Sequence, residues 1–131
     1  MVFHWPDKVI LIAEDEDMNY KFLEKVLQET QVKIIRAHNG KEAIDIISKS
    51  PKIDLVLMDL RMPEMDGFDA TIQIKKNYNL PVIAQTAYAV EGGKEKGLEA
   101  GCDEYIVKPI NISKILAVID KYLSKNHESK V

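Results

Sequence analysis

Short apolar runs of strand length alternate along the chain with longer segments whose apolar residues recur at helical spacing. This alternation is typical of repeated β-α units and predicts a parallel sheet with helices on both faces. Five such units fit within the 131 residues. The predicted strands span residues 9–13, 32–37, 55–58, 82–85 and 104–107.

Signals that start and stop helices lie between the predicted strands. Asp17 can cap the first helix and Asn39 the second, which Pro51 ends. Asn111 or Ser113 can cap the last helix. The apolar positions of these three helices recur at helical spacing and comprise Phe22, Leu23, Val26, Leu27, Ala43, Ile44, Ile47, Ile115, Leu116, Val118 and Ile119.

The other two helices are predicted over residues 68–77 and 90–100, and the last helix covers residues 112–122. The segment 90–100 contains three glycines, Gly92, Gly93 and Gly97. Each glycine lowers the stability of a helix by about 1 kcal/mol relative to alanine. We therefore expect this helix to be the least stable element and a candidate moving part.

The first and third strands are almost continuously apolar, which predicts a central position in the sheet with both faces covered. The fold class is therefore α/β: a three-layer α/β/α sandwich with a doubly wound, five-stranded parallel sheet of order 2-1-3-4-5, as in flavodoxin-like folds. We expect one domain over residues 8–123. A short lead-in would cover residues 1–7, and a polar tail over residues 124–131 should fray.

Composition narrows the classes of function. The chain is 46% hydrophobic and 30% charged, which suits one globular domain. Its net charge of −3, with scattered lysines and arginines, predicts no binding to nucleic acid. The sequence shows no membrane span and no signal peptide, and its single cysteine, Cys102, fits a small, semi-buried apolar residue. We expect a cytoplasmic domain that makes no membrane contact.

Polar residues follow the predicted strands at the points where the strands end. Glu14 and Asp15 follow the first strand and Asp59 follows the third. Thr86 follows the fourth strand and Lys108 the fifth. Because the carboxyl ends of parallel strands share one edge of a sheet, these side chains should meet in one crevice.

Three neighbouring carboxylates repel one another unless a cation or protons are present. Mg²⁺, which prefers oxygen ligands, is the expected occupant, with Asp15 as a ligand. The alternative is that the acids at positions 14–17 only favour the positive end of the first helix, and we prefer that explanation for Glu16 and Asp17.

Asp59 lies in an apolar context where an acid without a partner would be costly, and its best use is as a nucleophile toward a phosphoryl group. Lys108 and Mg²⁺ would supply positive charge, and the Thr86 hydroxyl would donate a hydrogen bond to a phosphoryl oxygen. The Lys108–Pro109 bond is a candidate cis peptide, which would fix the direction of the lysine side chain.

These motifs, taken in order, resemble the receiver domains of two-component response regulators. The matching stretches are AEDED at 13–17, LMDLRMP at 57–63, MDG at 65–67, Thr86-Ala87 and YIVKP at 105–109. The resemblance covers roughly residues 8–123 and implies a fold of the receiver type. It also implies that Asp59 is the phosphoacceptor of a phosphorelay, supplied by a phosphohistidine on a histidine kinase or a histidine phosphotransfer domain.

The resemblance assigns further roles. It implies that Asp15, Asp59 and the backbone carbonyl of Arg61 bind Mg²⁺, and that Glu14 helps through a water molecule. Thr86 and Lys108 would hold the phosphoryl group. Tyr105 resembles the switch aromatic that turns inward when the threonine moves toward the phosphate, although an edge-strand packing residue is the alternative.

Two positions bear on the lifetime of the phosphoryl group. Arg61 lies two residues after the acceptor and Tyr88 two residues after Thr86, where receivers modulate that lifetime; solvated rim residues are the alternative. Glu14-Asp15 also departs from the pair of aspartates that many receivers carry. The longer first acid should still reach a metal-bound water.

The residues also bear on the type of receiver. Asn19, the turn 59–67 and the stretch 86–89 look like the receiver of a hybrid sensor histidine kinase, and a stand-alone single-domain regulator is the alternative. The domain could then be the cytoplasmic part of a membrane-bound kinase. The partner, a histidine-phosphorylated helical domain, should bind over the first helix and the loop that carries Pro109.

Three other classes of protein deserve comparison. A phosphohydrolase of the haloacid-dehalogenase type would place a second aspartate where this chain has Arg61, so we expect no turnover of external substrates beyond self-catalysed phosphorylation and dephosphorylation. A flavodoxin-like electron carrier would need a phosphate cradle rather than acids after the first strand. A pseudo-receiver that binds without phosphorylation would have little reason to keep Asp59, Thr86 and Lys108 together.

Overall fold

A computed structural model of the chain describes residues 3–49, 52–60, 67–86 and 93–128. Strands and helices alternate along these residues. The strands are β1 Val9–Ala13, β2 Lys33–Ala37, β3 Leu55–Asp59, β4 Val82–Thr86 and β5 Glu104–Val107. The helices are α1 Asp17–Gln28, α2 Gly40–Lys49, α3 Gly67–Asn77, α4 Gly93–Ala100 and α5 Ile112–Glu128.

The five strands form one parallel sheet in the order β2-β1-β3-β4-β5, so the predicted winding is confirmed. β3 is the central strand, and every one of its residues is buried. β2 lies on one side of β1 and β3 on the other, so the helices that follow β1 and β3 diverge and leave a crevice at the carboxyl edge.

Alternate residues of the strands point into two separate apolar layers. Leu11, Val56 and Ala84 belong to the layer shared with α2 and α3. Ile12 and Leu57 belong to the layer shared with α1 and α5. Both layers are needed because every strand of a doubly wound sheet has to be covered on both faces.

The capping predictions had different outcomes. Asn39 accepts a hydrogen bond from the backbone N–H of Glu42 (2.8 Å), and Asn111 rather than Ser113 caps α5 by accepting one from Lys114 (2.9 Å). The prediction for Asp17 was wrong. Asp17 is the first residue of α1, and its carboxylate accepts a hydrogen bond from the guanidinium of an arginine in β2 instead.

Both chain ends contribute more structure than the sequence predicted. The Trp5 indole is buried, stacks on Phe3 and donates a hydrogen bond to Asp120 (3.1 Å), so the lead-in packs onto α5. Helix α5 continues to Glu128, through residues 124–128 that we assigned to a frayed tail. These five residues include neither glycine nor proline, so nothing in them ends the helix.

Two further expectations concern helices. Phe22, at a helically spaced apolar position of α1, is 42% exposed because it lies at the edge of the buried face that Leu23 and Leu27 form. The start of the glycine-rich helix near residue 90 lies outside the described residues, and α4 is described from Gly93. Within the described parts of the chain, no helix is long and apolar enough to cross a membrane.

Gly67 opens α3 at a point where two backbone segments approach closely. Its N–H donates a hydrogen bond to the Leu60 carbonyl (3.2 Å). A methyl group at this position would clash with the backbone oxygen of Asp59 and would lie 2.6 Å from the Leu60 Cα. The absence of a side chain therefore lets α3 start against the end of β3.

We predict that Gly67→Ala lowers the free energy of unfolding by about 2 kcal/mol or more, because the new methyl group has to displace backbone rather than a flexible side chain. Urea denaturation measures the change. Lys76→Ala, an exposed substitution in the same helix, should change the stability by less than about 0.5 kcal/mol. Equal effects of the two substitutions would contradict the steric explanation.

Candidate functional site

Three acidic side chains meet at the carboxyl edge of the sheet. Asp59 is the last residue of β3, and Glu14 and Asp15 follow β1, its neighbour in the sheet. One carboxylate oxygen from each of the three lies within 4.8 Å of the other two. Glu14 and Asp59 are buried, 0% and 5% exposed, whereas Asp15 is exposed. The acids named from the sequence are therefore brought together.

The donor set of this cluster fits a small, hard cation. Carboxylate oxygens are ligands that Mg²⁺ prefers, and neighbouring ligands of an octahedral Mg²⁺ lie roughly 3.0 Å apart. The three oxygens, which lie within 4.8 Å of one another, would therefore have to move closer around an ion, or one of them would reach it through a water molecule. The exposed Asp15 leaves one side of the cluster open to solvent.

Lys108 supplies the positive charge at the cluster. Its Nζ donates a hydrogen bond to Glu14 Oε1 at 3.0 Å and lies 3.7 Å from Asp59 Oδ2. The lysine follows β5, two strands away from β3, and its side chain reaches back across the edge of the sheet. One ammonium group thus faces two buried carboxylates.

The protonation of Glu14 reflects this crowding. Burial raises the pKa of Glu14 to about 7, the nearby Asp59 carboxylate adds to that rise, and Lys108 opposes it. Glu14 Oε2 also accepts a hydrogen bond from the backbone N–H of Glu16 (3.2 Å). The carboxyl group is thus held inside the site by both of its oxygens.

Thr86 ends β4, next to β3 in the sheet, and is buried. Its backbone carbonyl accepts a hydrogen bond from the Lys108 N–H (2.7 Å), which joins the two residues at the same edge. Tyr105 lies on β5 opposite Ala84 and is half-buried against the layer that α2 and α3 cover. Burial raises the pKa of the Tyr105 phenol, and Cys102 and Glu95 add to the rise.

The other positions singled out from the sequence are a peptide bond, two residues predicted at the rim of the site and a cysteine. The Lys108–Pro109 peptide bond is cis. Arg61 and Tyr88 lie outside the described residues. Cys102 is buried, and burial raises the pKa of its thiol to about 11, as for an unreactive core side chain.

Two residues beside the site were not given a role from the sequence. Arg36, on β2, donates hydrogen bonds to the backbone carbonyl of Glu14 and to Asp17. Gln85, on β4 opposite Asp59, is buried beside a cavity next to Lys108. A charged or amide residue inside an otherwise apolar strand is the signal that could have identified both.

Comparisons with known proteins agree on one family. A family model described as "Response regulator receiver domain" matches residues 10–120. The chain is 39% identical over 137 residues to "Hybrid signal transduction histidine kinase I" of Dictyostelium discoideum, covering 95% of this chain but only 8% of that protein. It is 36% identical over 119 residues to the "Polar-differentiation response regulator DivK" of Brucella anthropi, covering 88% of this chain and 96% of that protein.

A solved structure with the same fold also contains a receiver domain. The complex of the Saccharomyces cerevisiae histidine phosphotransfer signaling protein Ypd1 with the receiver domain of its downstream response regulator Ssk1 matches with a TM-score of 0.84. The sequence identity is 25%, and the match covers 96% of this chain and 93% of that one.

We predict that Asp59→Asn raises the free energy of unfolding by about 1 kcal/mol in metal-free buffer with EDTA, because it removes one of two buried carboxylates that share a single lysine. Urea denaturation measures the change. Asp45→Asn, at an exposed position of α2, is the matched control and should have almost no effect. A loss of stability in Asp59→Asn would mean that Lys108 already compensates both acids.

Proposed function

This chain belongs to the family of response regulator receiver domains, and we propose that it accepts a phosphoryl group on Asp59 from a phosphohistidine and then presents a changed surface to a protein partner. The observation that carries the proposal is the position of Asp59. It ends the central strand, is nearly buried, and lies between two further acids and the ammonium group of Lys108.

In the proposed transfer, a carboxylate oxygen of Asp59 attacks the phosphorus atom. The new oxygen–phosphorus bond forms as the phosphorus–nitrogen bond breaks, and the electron pair of that bond leaves with the imidazole of the donor. Lys108 is 3.7 Å from Asp59 and would pair with an oxygen of the transferred group, as would the hydroxyl of Thr86. The protein's task is mostly positioning and charge compensation.

Mg²⁺ is the cofactor that the acidic cluster fits. Asp15, Asp59 and the backbone carbonyl of Arg61 would hold it, with Glu14 helping through a water molecule. When bound, it supplies positive charge that offsets the carboxylates and a coordination position for a phosphoryl oxygen. The buried Asp59 and Glu14 stay oriented by Lys108, so the oxygen ligands are arranged by the fold in advance.

The output of phosphorylation would be a shift between two conformations. Thr86 would move toward the phosphoryl group, and Tyr105, half-buried on the neighbouring strand, would turn inward. This change would bias the surface that β5 and the glycine-weakened helix α4 form. Arg61 and Tyr88 are proposed to adjust the lifetime of the phosphoryl group.

The proposed donor is a histidine kinase or a histidine phosphotransfer domain that docks over α1 and the loop carrying Pro109. The complex of the yeast Ssk1 receiver with the phosphotransfer protein Ypd1 supports this class of partner. Exposed apolar side chains on α1 and at the start of α5, Met18, Phe22 and Ile112, suit such a contact.

We propose that the domain is cytoplasmic and comes from a hybrid histidine kinase, given the 39% identity to the Dictyostelium hybrid kinase, of which the chain spans a small part. A stand-alone regulator is the second candidate, because the chain spans almost the whole of the DivK relative. Both assignments use Asp59 in the same way. Labelling of Asp59 therefore tests the chemistry that they share.

We predict that incubation with acetyl phosphate or phosphoramidate and Mg²⁺ increases the intact mass by one phosphoryl group, because Asp59 is positioned to attack either small donor. Mass spectrometry should show no adduct with Asp59→Asn or in EDTA. Asp45→Asn should be labelled like the native chain, which controls for an effect of the substitution type.

An adduct that persists in Asp59→Asn would place the acceptor elsewhere. No adduct under conditions where calorimetry shows Mg²⁺ binding would contradict the proposal and favour a pseudo-receiver that signals by binding alone.

A further inference from the structure

Gln85 is a polar residue that the phosphoryl chemistry leaves unexplained. It is 0% exposed, and neither its Nε2 nor its Oε1 has a hydrogen-bond partner in the part of the chain that the structure describes. Buried side-chain amides are almost always hydrogen-bonded, because an unpaired donor or acceptor loses its hydration without compensation. Among the described residues, both ends of this one amide lack a partner.

The amide borders a cavity of about 320 Å³ between α1 and the loop after β5. Gln85 lines it from the sheet, and the other lining residues are Asn19, Phe22, Leu23, Lys108, Pro109 and Ile110. Small-molecule sites have this size and this makeup, mostly apolar with a few placed polar groups. The cavity also lies at the carboxyl edge, where open α/β sheets bind ligands.

We propose that this cavity binds a small neutral molecule that carries a carboxamide on an apolar body. Nε2 of Gln85 would donate a hydrogen bond to the ligand's carbonyl, and Oε1 would accept one from the ligand's N–H. A carboxylate alone would leave Oε1 without a donor, and an ammonium group alone would leave Nε2 without an acceptor. A carboxamide satisfies both atoms, and the apolar body would pack between Phe22 and Ile110.

The cavity lies on the face where the proposed phosphotransfer partner would dock, so the ligand and that partner would compete for it. Lys108 borders the cavity, but its ammonium group is paired with Glu14 in the acidic cluster, so it does not favour an anionic ligand here. A glutamine side chain of a docked protein has the same carboxamide group. The volume of the cavity exceeds the needs of one such side chain, which favours an independent molecule.

Benzamide is the test probe, followed by two-dimensional amide NMR of the native protein. We expect saturable shifts of the Gln85 side-chain NH₂ with a dissociation constant on the order of 1 mM. Acetophenone, which has the same shape but no donor, should bind at least fivefold more weakly. Gln85→Leu should abolish binding, whereas Gln28→Leu, at an exposed position of α1, should retain it.

Several results would overturn this proposal: no saturable shift with benzamide, equal binding of acetophenone, or unchanged binding in Gln85→Leu. If Gln85→Leu fails to fold, the comparison of benzamide with acetophenone on the native protein decides. Tighter binding of N-acetylglutamine methylamide than of benzamide would assign the cavity to a partner's glutamine side chain instead.

A different observation carries a second inference, which concerns the loop between β1 and α1. Nε and Nη2 of Arg36 donate hydrogen bonds to the backbone carbonyl of Glu14 (3.2 and 3.1 Å), and Nη1 donates one to Asp17 (2.8 Å). The guanidinium also lies over the Tyr20 ring, 4.6 Å from its centroid. One planar group therefore ties both ends of the loop that carries Asp15.

We infer that Arg36 is a positioning residue for the metal site, an inference that rests on the proposed function. It holds the loop in the arrangement where Asp15 meets Glu14 and Asp59, although its own side chain is not part of the acidic cluster. The positive charge of Arg36 has the opposite effect, because a nearby cation lowers the attraction of the acidic cluster for Mg²⁺. The two effects predict opposite results when Arg36 is replaced.

Isothermal titration calorimetry with Mg²⁺ separates the two effects. We expect Arg36→Met to weaken Mg²⁺ binding about tenfold, and Arg36→Lys to weaken it by a smaller factor because an ammonium group lacks the planar fork. Lys33→Met, on the same strand at an exposed position, controls for the loss of one charge. At saturating Mg²⁺, labelling by acetyl phosphate should stay within about twofold of the native rate.

Unchanged or tighter Mg²⁺ binding in Arg36→Met would overturn the positioning role. If Arg36→Met fails to fold, Arg36→Lys decides in the same assay. A failure of the proposed function looks different: the native chain would then bind Mg²⁺ but stay unlabelled at every Mg²⁺ concentration.

Discussion

Two buried carboxylates, Glu14 and Asp59, share one ammonium group, Lys108, at the carboxyl edge of the sheet. This arrangement is costly for the isolated chain, because burial raises the pKa of Glu14 to about 7 and Asp59 adds to the rise. The fold tolerates it because β1, β3 and β4 are packed on both faces. Because the two carboxylates repel each other, binding of a cation or a change in the charge of Asp59 would alter the energy of this site.

The position of each residue along its strand decides which side chains lie near the acidic cluster and which line the cavity. Successive residues of a strand point to opposite faces, so neighbours in sequence can serve different surroundings. Thr86 and Gln85 illustrate this at the end of β4: the threonine belongs to the proposed phosphoryl site, whereas the glutamine lines the cavity beneath α1. One strand end would thereby contribute to both proposed sites, and Lys108 borders each of them.

Backbone contacts hold the loops around these sites in place. Gly67 lets α3 begin against the Asp59 carbonyl, because no side chain stands between the two segments. Arg36 ties the loop after β1 through the Glu14 carbonyl and the Asp17 carboxylate. The acidic residues that could hold a cation are thus arranged by residues outside the cluster, as the ligands of many metal sites are.

The alternation of apolar runs and helical segments in the sequence was sufficient to predict the five β-α units, the strand order and the residues at the strand ends, since burial on both faces leaves a strong local pattern. The cap at Asp17 was mispredicted because Arg36, distant in sequence, competes for that carboxylate. The pairing of Lys108 with Glu14, and the lack of a hydrogen-bond partner for the Gln85 amide among the described residues, were likewise decided only by tertiary structure. Such contacts depend on where strands far apart in the chain come together, and local periodicity contains no information about them.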